Sequence, residues 1–159
     1  MKIKVGFGYD VHQLVEQRPL FLGGIEVPHT HGLLGHSDAD VLIHVICDAL
    51  LGAANLRDIG FHFPDNDSQY KNIDSKILLA KTCELLSENG FSIGNVDCTI
   101  CAERPKLKNY IDLMQETLAN ILKIDISDIT IKATTTEKLG FVGQEKGIAA
   151  YAVCLIEKA

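Results

Sequence analysis

The sequence predicts an α/β fold of the two-layer α+β kind, a mixed four-stranded sheet with helices on one face and a small β-hairpin. Three observations predict it. Strand and helix periodicities alternate in the later part of the chain, which requires βαβ-type crossovers. Residues 38–54 form a nearly all-apolar helical stretch. Gly23-Gly24 separates two short apolar runs, a hairpin signal. With 159 residues, 47% of them hydrophobic, the chain is expected to fold as one domain over 1–159.

Residues 2–12 alternate polar and apolar and read as a strand ending in Asp10-Val11-His12. The hairpin occupies 19–28, and a Gly- and His-rich loop is expected from 29 to 36. Ser37 is the expected N-cap of the apolar helix, with Asp40 as its capping-box partner. Within that helix Asp40, His44 and Asp48 lie at i, i+4 and i+8, on one face. Residues 55–72 are dense in turn formers and longer than loops usually are without a function. A second helix spans 74–89, closed by Gly90, followed by a strand over 92–102 and an amphipathic helix over 106–123. A strand over 128–136 leads through a turn at Gly140-Phe141-Val142-Gly143 to the last strand, 148–156.

The formal net charge of −6 argues against sequence-independent binding to nucleic acid. It leaves a phosphate ligand open, since local cations and backbone N–H groups outweigh global charge. No apolar run approaches the roughly 18 residues of a membrane span. The chain opens directly on Ile3, Val5 and Phe7 without a signal-like segment. Five cysteines, including Cys98 and Cys101 in an apolar strand, read as reduced core thiols, and the expected location is cytoplasmic.

Asp10 and His12, two apart in a strand, share a face roughly 6–7 Å apart. A His on a facing helix, His44, would complete three ligands and leave a fourth position open, as catalytic zinc requires. The alternative is a hydrogen-bonded structural histidine. It is weakened because an apolar helix tolerates unpaired polar groups poorly, and Asp40 or Asp48 could hold the other imidazole nitrogen. His29 and His31 read as exposed loop residues. His36, just before the expected helix N-terminus, is a candidate for phosphate contact. Thr134-Thr135-Thr136-Glu137 is either a β-branched strand end or a set of hydroxyls for phosphate with a carboxylate for a hard cation such as Mg2+. Arg104-Pro105-Lys106-Leu107-Lys108 is a solvated turn or a phosphate or nucleotide contact.

Together these segments resemble the 2-C-methyl-D-erythritol 2,4-cyclodiphosphate synthase family of the non-mevalonate isoprenoid pathway. The resemblance covers essentially the whole chain. It rests on Gly8-Tyr9-Asp10-Val11-His12, on Gly35-His36-Ser37-Asp38-Ala39-Asp40-Val41 with His44, and on Asp48-Ala49-Leu50-Leu51-Gly52-Ala53. Further on it rests on Asp58-Ile59-Gly60, Phe63-Pro64-Asp65, Asn95-Val96-Asp97, and the run from Lys132 to Phe141.

The resemblance implies a homotrimer with active sites at subunit interfaces. It implies Zn2+ on Asp10, His12 and His44, and Mg2+ or Mn2+ on Glu137 and the substrate diphosphate. The implied substrate is 4-diphosphocytidyl-2-C-methyl-D-erythritol 2-phosphate, whose 2-phosphate attacks the β-phosphorus and releases CMP. By the same resemblance His36 and Thr135 are the transition-state stabilisers. Ser37, Asp58, Gly60, Phe63 and Asp65 hold the erythritol and its phosphate. Ala102, Pro105, Lys106 and Leu107, with Thr134 nearby, shape the cytidine pocket, and Phe141 borders the site. No Ser-His or Cys-His nucleophile pattern is present, which suits an internal phosphate nucleophile that needs positioning and charge neutralisation.

One stretch departs from the family pattern. Gln144 and Lys146 stand where relatives commonly carry Arg and Glu lining the trimer's central cavity, so an isoprenoid diphosphate there would meet a different charge arrangement. Two competing functions are a zinc phosphohydrolase, which predicts linear products bearing solvent oxygen, and a non-catalytic metal- or nucleotide-binding trimer, which predicts bound CMP without turnover.

Overall fold

The structure is a computed structural model that describes residues 1–158. A five-stranded sheet has the order β4-β1-β7-β5-β6, with a separate two-stranded sheet β2-β3. The strands are β1 (Lys2–Glu16), β2 (Leu20–Leu22), β3 (Ile25–Val27), β4 (His31–Leu33), β5 (Phe91–Cys101), β6 (Ile129–Thr134) and β7 (Gly147–Lys158). The helices are α1 (Val41–Ala53), α2 (Ile59–His62), α3 (Ser75–Glu88), α4 (Ile111–Leu122) and α5 (Gly140–Gly143).

The mixed α/β architecture is the one expected, with one strand more. β1 runs past His12 and pairs Leu14 with Leu33 and Glu16 with His31, so part of the expected 29–36 loop is a fifth strand. Three residues centred on Gly32 are too few to show a period of two. Among the described residues only β5 and β6 are parallel, joined across α4, while β7 runs antiparallel to both its neighbours. The single βαβ unit thus replaces the several that were expected. The loop at 55–72 contains α2 and a 3-10 turn, Ser68–Tyr70, and the expected turn at 140–143 is the short helix α5.

Helix α1 contributes more residues to the core than any other element. Val41, Leu42, Ile43, Val45, Ile46, Ala49, Leu50 and Leu51 are fully buried. It lies close against β1 because β1 offers glycine on that face. A Cβ at Gly6 would stand 1.9 Å from the Ala49 carbonyl oxygen, and one at Gly8 2.2 Å from that of Val45. The N-cap of α1 is Asp40, not Ser37. Ala39 adopts a left-handed φ of 60°, which breaks the helical path after Ser37. The Asp40 carboxylate accepts from Ile43 N, and from Gly23 N and Gly24 N of the hairpin turn at 3.0 and 2.7 Å. Burial pushes its pKa up, the Asp38 charge adds to this, and the three N–H donors oppose it. One buried carboxylate therefore caps the helix and seats the hairpin.

On the opposite face of the sheet β1 and β7 carry an open apolar patch. Ile3, Val5, Phe7, Tyr9 and Val11 of β1, with Tyr151 and Val153 of β7, are all exposed, Val5 by 66% and Phe7 by 62%. The five cysteines are free thiols, and burial raises the pKa of Cys98 and Cys154. Among the described residues no helix is long and apolar enough to cross a membrane.

Gly8→Ala is expected to lift α1 from β1 and lower stability by about 1–3 kcal/mol, the usual cost of overpacking. Asp40→Ala is expected to cost about 2–4 kcal/mol, combining a lost cap with two hairpin N–H groups left without an acceptor. Urea unfolding followed by circular dichroism measures both.

Candidate active site

Asp10 and His12 leave β1 on its helix-facing side, and His44 projects from α1 towards them. His12 Nε2 lies 3.0 Å from Asp10 Oδ2 and 3.1 Å from His44 Nδ1, and His44 Nδ1 lies 3.3 Å from Asp10 Oδ2. One ligand-competent atom from each residue thus converges on one point.

The outer contacts decide what those atoms present. His12 Nδ1 is 2.8 Å from the Leu34 carbonyl oxygen, which can only accept, so Nδ1 carries the hydrogen of the neutral ring. His44 Nε2 lies 3.1 Å from Ser37 Oγ and 3.0 Å from Ser75 Oγ. The Ser75 hydroxyl donates to Asp38 Oδ1, so towards His44 it can only accept, and Nε2 carries the hydrogen. In their neutral forms both rings turn lone pairs towards each other and towards the Asp10 carboxylate. Three converging lone pairs repel unless a proton or a metal cation sits among them, and imidazole nitrogen with carboxylate oxygen is a donor set that suits zinc. Burial would raise the Asp10 pKa, but hydrogen bonds and charge from His12 and His44 outweigh it and hold the carboxyl well below its usual range. Burial disfavours charge on His12, yet Asp10 and the Leu34 carbonyl raise its pKa.

Neither Asp40 nor Asp48 supports His44, contrary to expectation. Asp40 is committed to the cap, and Asp48 accepts from Ile59 N at 2.8 Å, tying α1 to α2. Burial, with Asp58 and Asp10 nearby, raises the Asp48 pKa. Ser37 and Ser75 take the role instead. Ser75 lies 31 residues from His44 in the chain and meets it only because α3 packs on α1.

Around the three residues lies a cavity of about 490 Å³ that brings together Asp10, His12, His36, Ser37, His44, Gly60, Phe63 and Asp65. Asn66, Tyr70, Ile73 and Leu78 also line it, and nothing in their spacing marks them in the sequence. Asp58 stands outside, capping α2 through Phe61 N. The His36 ring donates from Nε2 to the Asp67 carbonyl oxygen at 3.0 Å. The expected helix N-terminus beside His36 is absent, because α1 starts four residues after Ser37 and is capped by Asp40. Arg18 braces this segment from behind, donating to the carbonyl oxygens of Gly35 and Ser37.

A second cavity of about 610 Å³ collects Ala102, Pro105, Lys106, Leu107, Thr134 and Thr135 at the carboxyl ends of the parallel strands β5 and β6, where α/β sheets hold ligands. The Thr136 hydroxyl donates to Leu139 O, and that of Thr134 to Thr135 O, so Thr135 Oγ1, which accepts from Glu137 N, keeps its hydrogen for a ligand. Glu137 and Phe141 line neither cavity. Glu137 is exposed on the loop after β6, and Phe141 packs beside Gly147.

The two cavities share no lining residue. The backbone row Val11–Ala149–Cys101–Thr134 crosses three strand spacings, roughly 14 Å. Within one chain the Asp10–His12–His44 cluster and the threonine loop therefore stand apart, each in its own cavity.

Known proteins carry the same arrangement of sequence and fold. A Bacteroides thetaiotaomicron protein named 2-C-methyl-D-erythritol 2,4-cyclodiphosphate synthase is 70% identical over 158 residues, 99% of each chain. The bifunctional IspDF from Campylobacter jejuni superposes with a TM-score of 0.95 at 44% identity, covering 99% of this chain and 43% of that longer one. IspF from Plasmodium falciparum, in complex with CDP, superposes with a TM-score of 0.85 at 36% identity over 98% of this chain and 96% of that one. The YgbB family model matches residues 3–157. A match of that extent, with relatives 70% identical over nearly the whole chain, means that this protein belongs to the YgbB family.

Proposed function

We propose that the chain converts 4-diphosphocytidyl-2-C-methyl-D-erythritol 2-phosphate to 2-C-methyl-D-erythritol 2,4-cyclodiphosphate and CMP, a step in making isoprenoid precursors. The observation that carries this reading is the triad of lone pairs from Asp10, His12 and His44 at the mouth of a polar cavity, in a chain 70% identical to a protein of that name. The reaction is a phosphorus–oxygen lyase step. A 2-phosphate oxygen forms a bond to the β-phosphorus as the bond from that phosphorus to the CMP oxygen breaks. No water or protein nucleophile enters.

Such a transfer asks the protein for alignment and charge neutralisation. Asp10, His12 and His44 would hold Zn2+, and Glu137 would hold Mg2+ or Mn2+ together with the diphosphate. When bound, the two cations supply the positive charge that offsets the crowded phosphate oxygens. Thr135 offers its uncommitted hydroxyl to the transferring phosphoryl group, and His36 lies over the 2-phosphate. Ser37, Gly60, Phe63 and Asp65 line the erythritol end, with Asp58 shaping it by holding α2. Ala102, Pro105, Lys106, Leu107 and Thr134 form the nucleotide end, where Lys106 offsets diphosphate charge. Phe141 closes the edge.

The separation of the two cavities favours a homotrimer in which the first cavity of one copy meets the second cavity of its neighbour. The open apolar sheet face supports the same reading, because a patch of this kind on a monomer marks an association surface. The reading places the protein in the cytoplasm as one domain over 1–159, in keeping with its five free thiols.

31P NMR of the wild-type chain with substrate, Zn2+ and Mg2+ is expected to show two coupled cyclic-diphosphate resonances and CMP. His44→Ala is expected to abolish them and to lower bound zinc from about one per chain to near zero by elemental analysis. Linear phosphates bearing solvent oxygen would instead identify a hydrolase, and bound but unchanged substrate a binding protein. Phe7→Glu is expected to convert the trimer to monomers by light scattering and to abolish turnover. Its triad is expected still to bind zinc.

A further inference from the structure

Beyond the residues assigned to the reaction stands Glu103, in the connection that leaves β5. Its carboxylate reaches across to the loop after β6. Oε2 accepts from Thr136 N at 3.3 Å, and Oε1 accepts from Lys138 N at 3.2 Å. The two residues between and before those donors are Glu137 and Thr135, the second-cation carboxylate and the free hydroxyl. We propose that Glu103 is a positioning residue for Thr135 and Glu137, an inference that rests on the cyclisation reading above.

Three features of the loop make the tie necessary. Glu137 and Lys138 both adopt left-handed backbone, φ 54° and 65°, which side-chain-bearing residues adopt only when surrounding contacts impose it. That conformation turns the N–H groups of residues 136 and 138 to one side, where they form a concave donor pair of the kind that binds anions. Glu103 fills it with an internal carboxylate. From another side, Gly143 lies against Lys138 so closely that a Cβ would stand 2.1 Å from its carbonyl carbon. The loop is therefore clamped between Glu103 and Gly143. Ala102 N donates to Thr134 O, which keeps the two strand ends in register up to Glu103 itself. Glu103 thus links the two walls of the second cavity, Ala102 to Leu107 and Thr134 to Thr135. A shift of the loop by an ångström would move both functional groups off the diphosphate, a displacement that typically costs about 100-fold in rate.

The test compares wild type, Glu103→Ala and Glu103→Gln as full-length trimers. Glu103→Ala is expected to lower kcat about 10- to 100-fold with KM little changed. It is expected to weaken Mn2+ binding in the presence of CDP about tenfold by EPR, and to speed amide exchange at 136 and 138. Zinc content and thermal midpoint are expected to stay near wild type, and Glu103→Gln, which keeps one acceptor oxygen, to fall between. Wild-type kcat and Mn2+ affinity in Glu103→Ala would overturn the proposal, as would a loss matched by unfolding or by loss of zinc. A wild-type chain that forms no cyclic product would overturn the reaction itself and this role with it. That outcome is distinct from a variant that cyclises as well as wild type.

Discussion

The contact of α1 with β1 sets everything else. Gly6 and Gly8 let the Val45 and Ala49 carbonyl oxygens come nearer than any side chain on β1 would permit. Asp10 follows Gly8 by two residues on the same face of the strand, and His44 precedes Val45 on the helix. The approach that packs the core is thus the one that brings Nδ1 of His44 within 3.3 Å of the Asp10 carboxylate. Packing density and ligand geometry are one constraint here, because a buried helix seated against a strand has little freedom to translate.

Around that contact the protein uses carboxylates, the Asp40 one fully buried, as internal ties. Asp40 joins the hairpin to the start of α1, Asp48 joins the end of α1 to α2, and Glu103 joins the exit of β5 to the exit of β6. Each accepts backbone N–H groups that would otherwise lack partners, and each fixes a segment that carries site residues. Asp38 completes the set through Ser75, whose hydroxyl decides which nitrogen of His44 faces Asp10. The acidic surplus of the chain is in part this scaffold rather than an unspecific solvated surface.

Pairs close in the chain were legible in advance. Asp10 and His12 needed only the period of a strand to share a face, and His44 stood out as polar on an apolar helix. Contacts that depend on which helix packs where were not legible. Ser75 meets His44 across 31 residues, and Glu103 reaches Thr136 across 33. Ser37 and Asp40 are both good capping residues, so local sequence leaves the N-cap of α1 open between them. Only the left-handed turn at Ala39 selects the second. The extra strand β4, three residues long with a glycine at its centre, is too short to show a strand period in the sequence.

The sequence by itself determined the fold class, the order of the main elements, the candidate metal triad and the family, since each rests on local periodicity or on motifs in fixed order. Tertiary structure alone decided the tautomers that His12 and His44 present when neutral, the separation of the candidate residues between two cavities, and the carboxylate ties. The physical reason is that hydrogen bonds act over about 3 Å in space, and separation along the chain says nothing about which distant partners come that close.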